Sequence, residues 1–571
     1  MAPFTQVLDP LHALGGSTAL ALAPVVVLLL LLAVFRMTAW QAVIIGSVVT
    51  VVLAIAVWHA PAANAFGAYG VGAATGVWSV DWIVFWGVII YNTLVTTGAF
   101  GDFKRWLIRQ ATADIRVQTL LMAWAFGALM EGLVGFGYPW AVVAPILISL
   151  GVADLAAIRV AAIANNAPVS YGALGAPIIG LAAVTGLPLL SLSASIGKIV
   201  ALLALLPPWI LIYLVSGRRG FRDGWPLAIV GSLGYIAGQF PVAEWVGPYL
   251  PDVIGSVVCF AALLGLLRVW RPKTVLGFGG RELTPEEILR YDRDAADLAP
   301  GAAAARGDST GTPAAAGNDG PGLAAAAGPA SPAWRLARAL IPFGILIAVV
   351  VAWTGPWSPL PGYIPYEPTV TAVSSLGGPT DVSWKFAPFV AGTAILASWL
   401  IIAVFLRPGR AQLREVFASS FRQMWGALLV GPFIFGLADV FSYSGMANSM
   451  ASGFSKVGTS YIVLAAILGW IAVALSGSNT SANAVFGQFQ LSVGKLLHAP
   501  LLIFPSLNSV GAEVGKPVAP QTASVGVATT EFVRNEGQVI RNNLGWTLVI
   551  LVYLIAIGCL YYFVLPSAMR L

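Results

Sequence analysis

The sequence EGLVGFG at Glu131–Gly137 has a second glycine-rich, polar counterpart, SGSNTSANAVFG, at Ser476–Gly487. The two segments share a Phe-Gly dipeptide at an offset of 350 residues (486 − 136). A Pro-Val dipeptide, at Pro168 and again at Pro517, repeats at an offset of 349 residues (517 − 168). Two landmarks that keep their spacing over such a distance predict that the chain contains a duplicated unit.

The composition indicates a polytopic membrane protein. Of 571 residues, 58% are hydrophobic and only 9% are charged, whereas a soluble globular chain has about 25% charged residues. The N-terminal apolar run has no basic residue before it, which predicts an uncleaved first span. Cys259 and Cys559 lie in apolar runs, so a disulfide framework is not expected. The three scattered histidines do not predict a metal site.

A membrane span needs about 20 mainly apolar residues, and the pattern predicts an all-α polytopic fold of about 12 transmembrane helices. Two re-entrant hairpins and two broken helices complete it. The predicted order is a first inverted repeat at 1–220 (hairpin about 118–150, broken helix about 153–180), two connecting spans at 221–270, a disordered cytoplasmic linker at 271–338, and a second inverted repeat at 339–571 (hairpin about 461–499, broken helix about 501–530). The linker is rich in Ala, Gly, Pro and charge and cannot bury enough apolar surface to fold.

The distribution of basic residues predicts that the two repeats are inserted in opposite orientations. Segment 101–117 has four basic residues, while its counterpart 447–460 has only Lys456. Segment 407–422 has four arginines and its counterpart 59–80 has none; segment 532–543 has two and 182–192 has none. Short cytoplasmic loops collect Lys and Arg, and inverted repeats are a transporter architecture. Both termini are therefore predicted outside, with the linker inside.

The four interruptions predict a binding site at the middle of the membrane. Irregular backbone at that depth survives only inside protein or beside a water-lined cavity, and the N-termini of broken helices attract anions. The alternative is structural, since Gly and Pro are common in membrane helices and Ser, Thr and Asn join helices by hydrogen bonds. The candidate substrate-binding residues are Gly135, Phe136, Gly137, Asn165, Asn166, Ser170, Ser478, Asn479, Thr480, Asn483, Lys516 and Gln521.

Ionisable residues within apolar sequence need a reason, because each costs about 2.5–3.5 kcal/mol on insertion scales. Glu131 has no charged neighbour in sequence and is the first candidate for carrying a coupled proton, with Glu513 the second. A neutral Glu131 bonded to a helix end is the alternative. Lys516 lies three residues after Glu513, a spacing that predicts a local ion pair and leaves Lys516 available to a substrate carboxylate. A salt bridge at the membrane interface is the alternative.

The chain resembles the L-lactate permease family, which includes glycolate permeases. The resemblance rests on EGLVGFGYPWAVVAPILISLG (Glu131–Gly151), NNAPVSYGALGAPI (Asn165–Ile178), GSNTSANAVFG (Gly477–Gly487) and GKPVAPQ (Gly515–Gln521). It implies proton-coupled uptake of lactate, glycolate and related short 2-hydroxymonocarboxylates across the bacterial inner membrane. It also implies paired hairpins in a moving, elevator-type transport domain, with no cofactor and no nucleic-acid partner. A homodimer in the lipid bilayer is left open.

Three other functions remain to be weighed. Ser478-Asn479-Thr480 is similar to a motif of sodium-coupled dicarboxylate carriers, so a Na⁺-coupled di- or monocarboxylate carrier is the first alternative. A membrane-embedded enzyme would need a catalytic cluster on facing spans, and the sequence shows no nucleophile–base–acid pattern. A passive channel is the third, and saturable trans-stimulated exchange would exclude it.

Overall fold

A computed structural model describes residues 4–110, 112–135, 137–289, 332–528 and 535–571, and these ranges are mostly α-helical. Ten helices among them are long and apolar enough to cross a membrane, or eleven if one bent pair counts as a span. The short apolar helix Ala391–Leu406 is shorter than that criterion allows. The predicted polytopic helical membrane fold is confirmed in this respect. The predicted site residue Phe136 and segment 290–331 of the predicted linker lie outside the described residues.

The helices before the linker follow one another with short connections. They are Leu14–Ala21, Ala23–Ala33, Ala39–Ala56, Ala62–Thr75, Trp82–Thr96, Ala99–Gln110, Ile115–Thr119, Phe126–Leu133, Tyr138–Ser149, Asp154–Ala164, Gly172–Thr185, Leu189–Leu203, Pro207–Ser216, Arg219–Trp245 and Pro251–Val269. The helices after it are Pro332–Thr354, Ala391–Leu406, Arg410–Ser444, Met446–Phe454, Tyr461–Ser476, Asn479–Leu496, Ile503–Gly515, Pro520–Val527 and Glu536–Cys559.

Two helical segments of 35 residues, Ala62–Thr96 and Arg410–Ser444, occupy corresponding places in the two halves. Their offset is 348 residues at both ends (410 − 62 and 444 − 96). Gly72 packs on the backbone of Phe435, and Gly76 packs on the backbone of Gly431. The residue number of the contact on the second segment therefore decreases as the residue number on the first segment increases. The segments therefore run antiparallel, as the inverted repeat requires of this pair. The wider repeat arrangement stays a prediction.

Two of the segments predicted to be loops with few or no basic residues are helical instead. Segment 59–80 contains the helix Ala62–Thr75 and a π-helical turn at Gly76–Asp81. Its Ala and Gly residues lower its apparent hydropathy, but they permit close packing on the neighbouring helix. Segment 447–460 lies in the helix Met446–Phe454 and a following 3₁₀ turn. The residues Met446–Ala451 of this helix are all buried, so it lies inside the protein and not in an exposed loop.

One basic residue of segment 101–117 is a structural residue rather than a free loop charge. Arg116 is fully buried and lies 2.7 Å from the carboxylate of Asp114. Its guanidinium also donates to the carbonyl oxygens of Gly220, at 3.1 Å, and Thr274, at 2.7 Å. Arg116 therefore joins the start of the first hairpin to the first connecting span and to the segment that follows the second connecting span.

The predicted linker and connecting spans need corrected bounds. The helix Pro332–Thr354 begins inside the predicted linker, where Arg338 donates to the carbonyl oxygen of Thr97. At the other end, the backbone N–H of Leu276 donates to Asp114 at 3.1 Å. The first connecting span is the 27-residue helix Arg219–Trp245, longer than predicted because its prolines and polar first turn interrupt the apolar pattern.

A small three-stranded sheet adds to the predicted all-α fold. Strand Phe4–Thr5 pairs in parallel with Thr369–Val373, which pairs antiparallel with Pro379–Ser383. The register places Phe4 opposite Ala372 and Thr369 opposite Ser383. The Gln6 side chain continues the attachment by donating to the carbonyl oxygen of Ser442 at 2.8 Å.

Candidate functional site

The turn of the first hairpin (residues 115–149, hairpin 1) depends on two glycines with positive φ. Gly135 has φ +67° and Gly137 has φ +82°, a region that glycine adopts without steric cost. Gly137 precedes the helix Tyr138–Ser149, and a Cβ at Gly137 would lie 3.4 Å from the methyl group of Thr522. The tip of hairpin 1 therefore lies against the second half of the chain.

The second hairpin (residues 461–496, hairpin 2) turns at Gly477, which has φ +74°. Ser478 then caps the helix Asn479–Leu496, since its hydroxyl accepts the N–H of Ser481 at 3.2 Å. A Cβ at Gly477 would lie 2.9 Å from the side-chain oxygen of Gln521. Both hairpin tips therefore meet the same short helix, Pro520–Val527.

Both predicted broken helices contain an interruption at the proline positions. In broken helix 1, Asp154–Ala164 and Val169–Thr185 form an angle of 69° across Asn165–Pro168. In broken helix 2, Ile503–Gly515 is followed by a 3₁₀ turn at Lys516–Val518 and then by Pro520–Val527. Proline lacks a backbone N–H, so the helical ladder cannot continue unchanged through either segment.

A buried ion pair joins the two halves at these interruptions. The ammonium of Lys516 lies 2.6 Å from Oε1 of Glu131, and their side chains are 5% and 2% exposed. The amide of Asn165 donates to Oε2 of Glu131 at 3.1 Å. The predicted local pair between Glu513 and Lys516 is wrong. Both side chains contact the first half of the chain instead, Lys516 at Glu131 and Glu513 at Ser170.

Glu513 instead contacts broken helix 1. Both the hydroxyl and the backbone N–H of Ser170 donate to its Oε2, at 2.5 and 3.2 Å. Its Oε1 is buried and has no hydrogen-bond partner among the described residues. Glu513 is therefore held by hydroxyl and amide donors, while Glu131 is held by a cation.

A buried amide and hydroxyl network continues from Ser170 into hairpin 2. Ser509 lies 3.3 Å from the Ser170 hydroxyl and accepts from Asn483 at 3.0 Å, while its carbonyl accepts from Asn479 at 3.2 Å. Asn508 donates to Asn483 at 3.0 Å. The sequence reasoning missed Asn508 and Ser509, although two polar residues in an apolar segment were a usable signal.

Several buried polar atoms around the breaks have no partner among the described residues. They are Oδ1 of Asn165, both side-chain polar atoms of Asn166, and Oδ1 of Asn479. Most buried polar groups in proteins are hydrogen-bonded to protein or to ordered water. These atoms are therefore available to a small polar ligand or to water.

A cavity of about 470 Å³ adjoins the tip of hairpin 2. Its polar lining includes Ser476–Ser478, Thr480, Ser481, Gln521 and Asp81. Apolar side chains such as Leu28, Val43 and Phe435 form much of the remaining wall. Of the predicted binding residues, Ser478, Thr480 and Gln521 reach this cavity, whereas Glu131, Asn166 and Lys516 do not line it.

The model of the L-lactate permease family matches residues 17–361 and 368–566. The chain belongs to the L-lactate permease family. It is 31% identical over 568 residues to the glycolate permease GlcA of Escherichia coli K12, covering 96% of each chain. It is 29% identical over 590 residues to the L-lactate permease of Bacillus subtilis 168, covering 98% of this chain and 99% of that one.

A solved structure with similarity to the chain is MtrF of Neisseria gonorrhoeae, with a TM-score of 0.46 at 14% identity, covering 89% of this chain and 86% of that one. The predicted resemblance is confirmed by the family match. The chain is a multi-pass membrane transport protein of a permease family, not an enzyme.

Proposed function

We propose that this protein is a secondary carrier that takes up L-lactate, glycolate and related short 2-hydroxymonocarboxylates across the bacterial plasma membrane together with a proton. The names of two full-length relatives, one a glycolate permease and one an L-lactate permease, support this substrate class. The proposal needs a place for a carboxylate, a place for a hydroxyl group and a group that binds the proton.

The cavity at the tip of hairpin 2 is the observation on which the substrate site rests. The helix Asn479–Leu496 begins at its polar wall, and the first N–H groups of a helix lack intrahelical partners and carry partial positive charge. A carboxylate there accepts from these N–H groups and from the hydroxyls of Ser478 and Thr480. Gln521 supplies an amide for the 2-hydroxyl group, and the apolar wall faces the methyl group of lactate.

Of the two carboxyls predicted to carry the proton, the contacts favour Glu513. Glu131 already has the ammonium of Lys516 as its counter-charge at 2.6 Å. Glu513 is fully buried, has only the Ser170 donors at Oε2, and keeps Oε1 without a partner among the described residues. A carboxyl with one free oxygen and no cation in contact can take up a proton without breaking an ion pair. In this arrangement Lys516 is paired with Glu131 and is not free for the substrate carboxylate. The substrate therefore makes its first contacts at hairpin 2.

Transport in proteoliposomes tests the proposal. Uptake of radiolabelled L-lactate should be accelerated by an inward proton gradient and should be unaffected by a sodium gradient imposed separately. Glycolate should compete. Uptake that requires sodium and is inhibited by succinate would instead assign the alternative carrier class, and no response to the proton gradient would reject proton coupling.

The role of Glu513 has its own test. Glu513→Gln should retain lactate counterflow, which needs no net proton movement, and should lose acceleration by the proton gradient. Glu244→Gln is the control, because Glu244 pairs with Lys198 at 3.3 Å and both side chains are about one-quarter exposed. A wild-type proton response in Glu513→Gln would remove this assignment.

A further inference from the structure

Asp252 is a buried carboxylate to which the site described above gives no role. It lies in the first turn of the helix Pro251–Val269, one of the two connecting spans outside the predicted repeats, and is 1% exposed. Its Oδ1 accepts the phenolic O–H of Tyr235 at 2.7 Å. Its Oδ2 is buried without a hydrogen-bond partner among the described residues. The carboxylate is thus only half satisfied.

Asp252 lies directly behind the ion pair that joins the two halves. A Cβ at Gly132, the residue after Glu131, would lie 2.7 Å from the Cβ of Asp252. Glu131 contacts Lys516, and Glu513 lies three residues before Lys516 on broken helix 2. Asp252, Glu131 and Glu513 therefore lie near the same ion pair, and Glu131 is the carboxylate that contacts Lys516.

The remaining two carboxyls, Asp252 and Glu513, share a similar environment. Each accepts at one oxygen from a hydroxyl group and has its other oxygen unpartnered among the described residues. Two neighbouring carboxyl groups in a buried region cannot both ionise without a large electrostatic cost. Proton binding at one of the two carboxyls is therefore linked to the charge of the other.

Two tyrosines lie beside these carboxyls. Tyr235, on the helix Arg219–Trp245, donates to Asp252. Tyr171 follows the Ser170 that binds Glu513, and its own hydroxyl donates to the carbonyl oxygen of Ser193 at 2.6 Å. The ionisable groups around Asp252 are thus Tyr235, Glu131, Glu513, Lys516 and Tyr171.

We propose that Asp252 is a second proton-binding carboxyl of the transport cycle, linked to Glu513, and that Tyr235 tunes its proton affinity. The proposal rests on the proposed function in that the coupled ion is a proton. It gives the connecting spans a part in ion coupling, while hairpin 2 binds the substrate. Asp252 does not line the cavity beside hairpin 2, so its loss affects the proton more than the substrate.

The full-length protein with Asp252→Asn, reconstituted in proteoliposomes, separates these effects. We expect lactate counterflow within about twofold of wild type. Accumulation driven by a pH gradient of one unit should fall about tenfold, because each coupled proton contributes a factor of about ten to the accumulation ratio in such a gradient. Wild-type accumulation with the wild-type pH profile would overturn the proposal. If the wild-type protein shows no proton-driven uptake, the proposed function itself is rejected. The wild-type measurement therefore distinguishes failure of the proposed function from failure of the proposal about Asp252.

Asp439→Asn is the matched control. Asp439 is also a buried carboxyl within a long helix, where it lies against Gly72. It should keep both counterflow and accumulation. Equal losses of accumulation in Asp439→Asn and Asp252→Asn would count against a special role of Asp252.

A second variant keeps the proposal testable if Asp252→Asn does not fold. Tyr235→Phe retains the carboxyl and removes only its O–H donor, which should shift the pH profile of net uptake upward by about one unit. Tyr553→Phe, which removes a donor to the carbonyl oxygen of Leu202, is the control and should leave the profile in place. A uniform fall in rate at every pH in Tyr235→Phe, with no shift, would show that the hydroxyl acts only structurally and would overturn the proposal.

Discussion

Replacing Glu131 by glutamine removes the counter-charge of Lys516 while preserving side-chain shape. In wild type the two charged atoms are 2.6 Å apart and the Lys516 side chain is only 5% exposed. Water therefore cannot replace the lost carboxylate without a rearrangement of the surrounding helices. Removing one partner of a buried ion pair costs about 3–5 kcal/mol, because the other charge is left uncompensated.

We expect Glu131→Gln and Lys516→Met each to lower the free energy of unfolding by about 3–5 kcal/mol. The double variant should be less destabilised than the sum of the two, since it buries no lone charge. The coupling between residues in direct contact is about 0.5–3 kcal/mol. Denaturant titration in detergent micelles, followed by tryptophan fluorescence, measures the free energy of unfolding of the wild type, the two single variants and the double variant.

The pair between Lys198 and Glu244 provides the control within the same molecule. Its atoms are 3.3 Å apart and its side chains are 24% and 26% exposed, so solvent screens the interaction. Lys198→Met should cost less than about 1 kcal/mol. The reasoning about Glu131 is refuted if its variant costs no more than Lys198→Met, or if the double variant is strictly additive.

Three other predictions concern packing, the carboxyl contact and the cavity. Gly72→Ala should destabilise the protein by about 1–3 kcal/mol, because its Cβ would overlap the carbonyl oxygen of Phe435; an unchanged unfolding midpoint would contradict this. Ser170→Ala should cost about 1–3 kcal/mol by removing the hydroxyl that donates to Glu513 at 2.5 Å; Ser170→Thr, which keeps the hydroxyl, should recover part of the loss in the same titration. The cavity beside hairpin 2 has an apolar wall, and each buried CH₂ contributes about 0.8 kcal/mol. In competition assays, unlabelled 2-hydroxybutyrate should therefore inhibit uptake of labelled lactate about fourfold more strongly than unlabelled lactate does. Equal or weaker inhibition would show that the wall does not contact the substrate.

The interruptions could be located from the sequence because Gly and Pro act locally. Gly137 and Gly477 have positive φ, and Pro168 lies in the break of broken helix 1. Each of these effects depends on one residue and its immediate neighbours. Composition likewise predicted a helical membrane protein, because apolar helices of span length need no knowledge of their partners.

The pairing of the buried charges could not be predicted in the same way. Glu131 and Lys516 are 385 residues apart, while Glu513 was the nearer candidate by sequence. Asp252 follows a proline at the start of a span, a position that resembles an ordinary helix end in contact with solvent. Its burial depends on the close approach of Gly132, which no local pattern reports. Contacts between distant segments decide the charge arrangement, and periodicity carries no information about them.

The small sheet near the N-terminus has a consequence for biogenesis. Phe4 and Thr5 pair with Ala372 and Val373, and Gln6 donates to the carbonyl oxygen of Ser442. A chain emerging from the ribosome in N-to-C order inserts its first span long before these partners exist. The N-terminal strand therefore stays unpaired until synthesis has passed Val373, well into the second half of the chain. Docking of this strand follows insertion of the first spans, and it joins the segment before the first span to the second half.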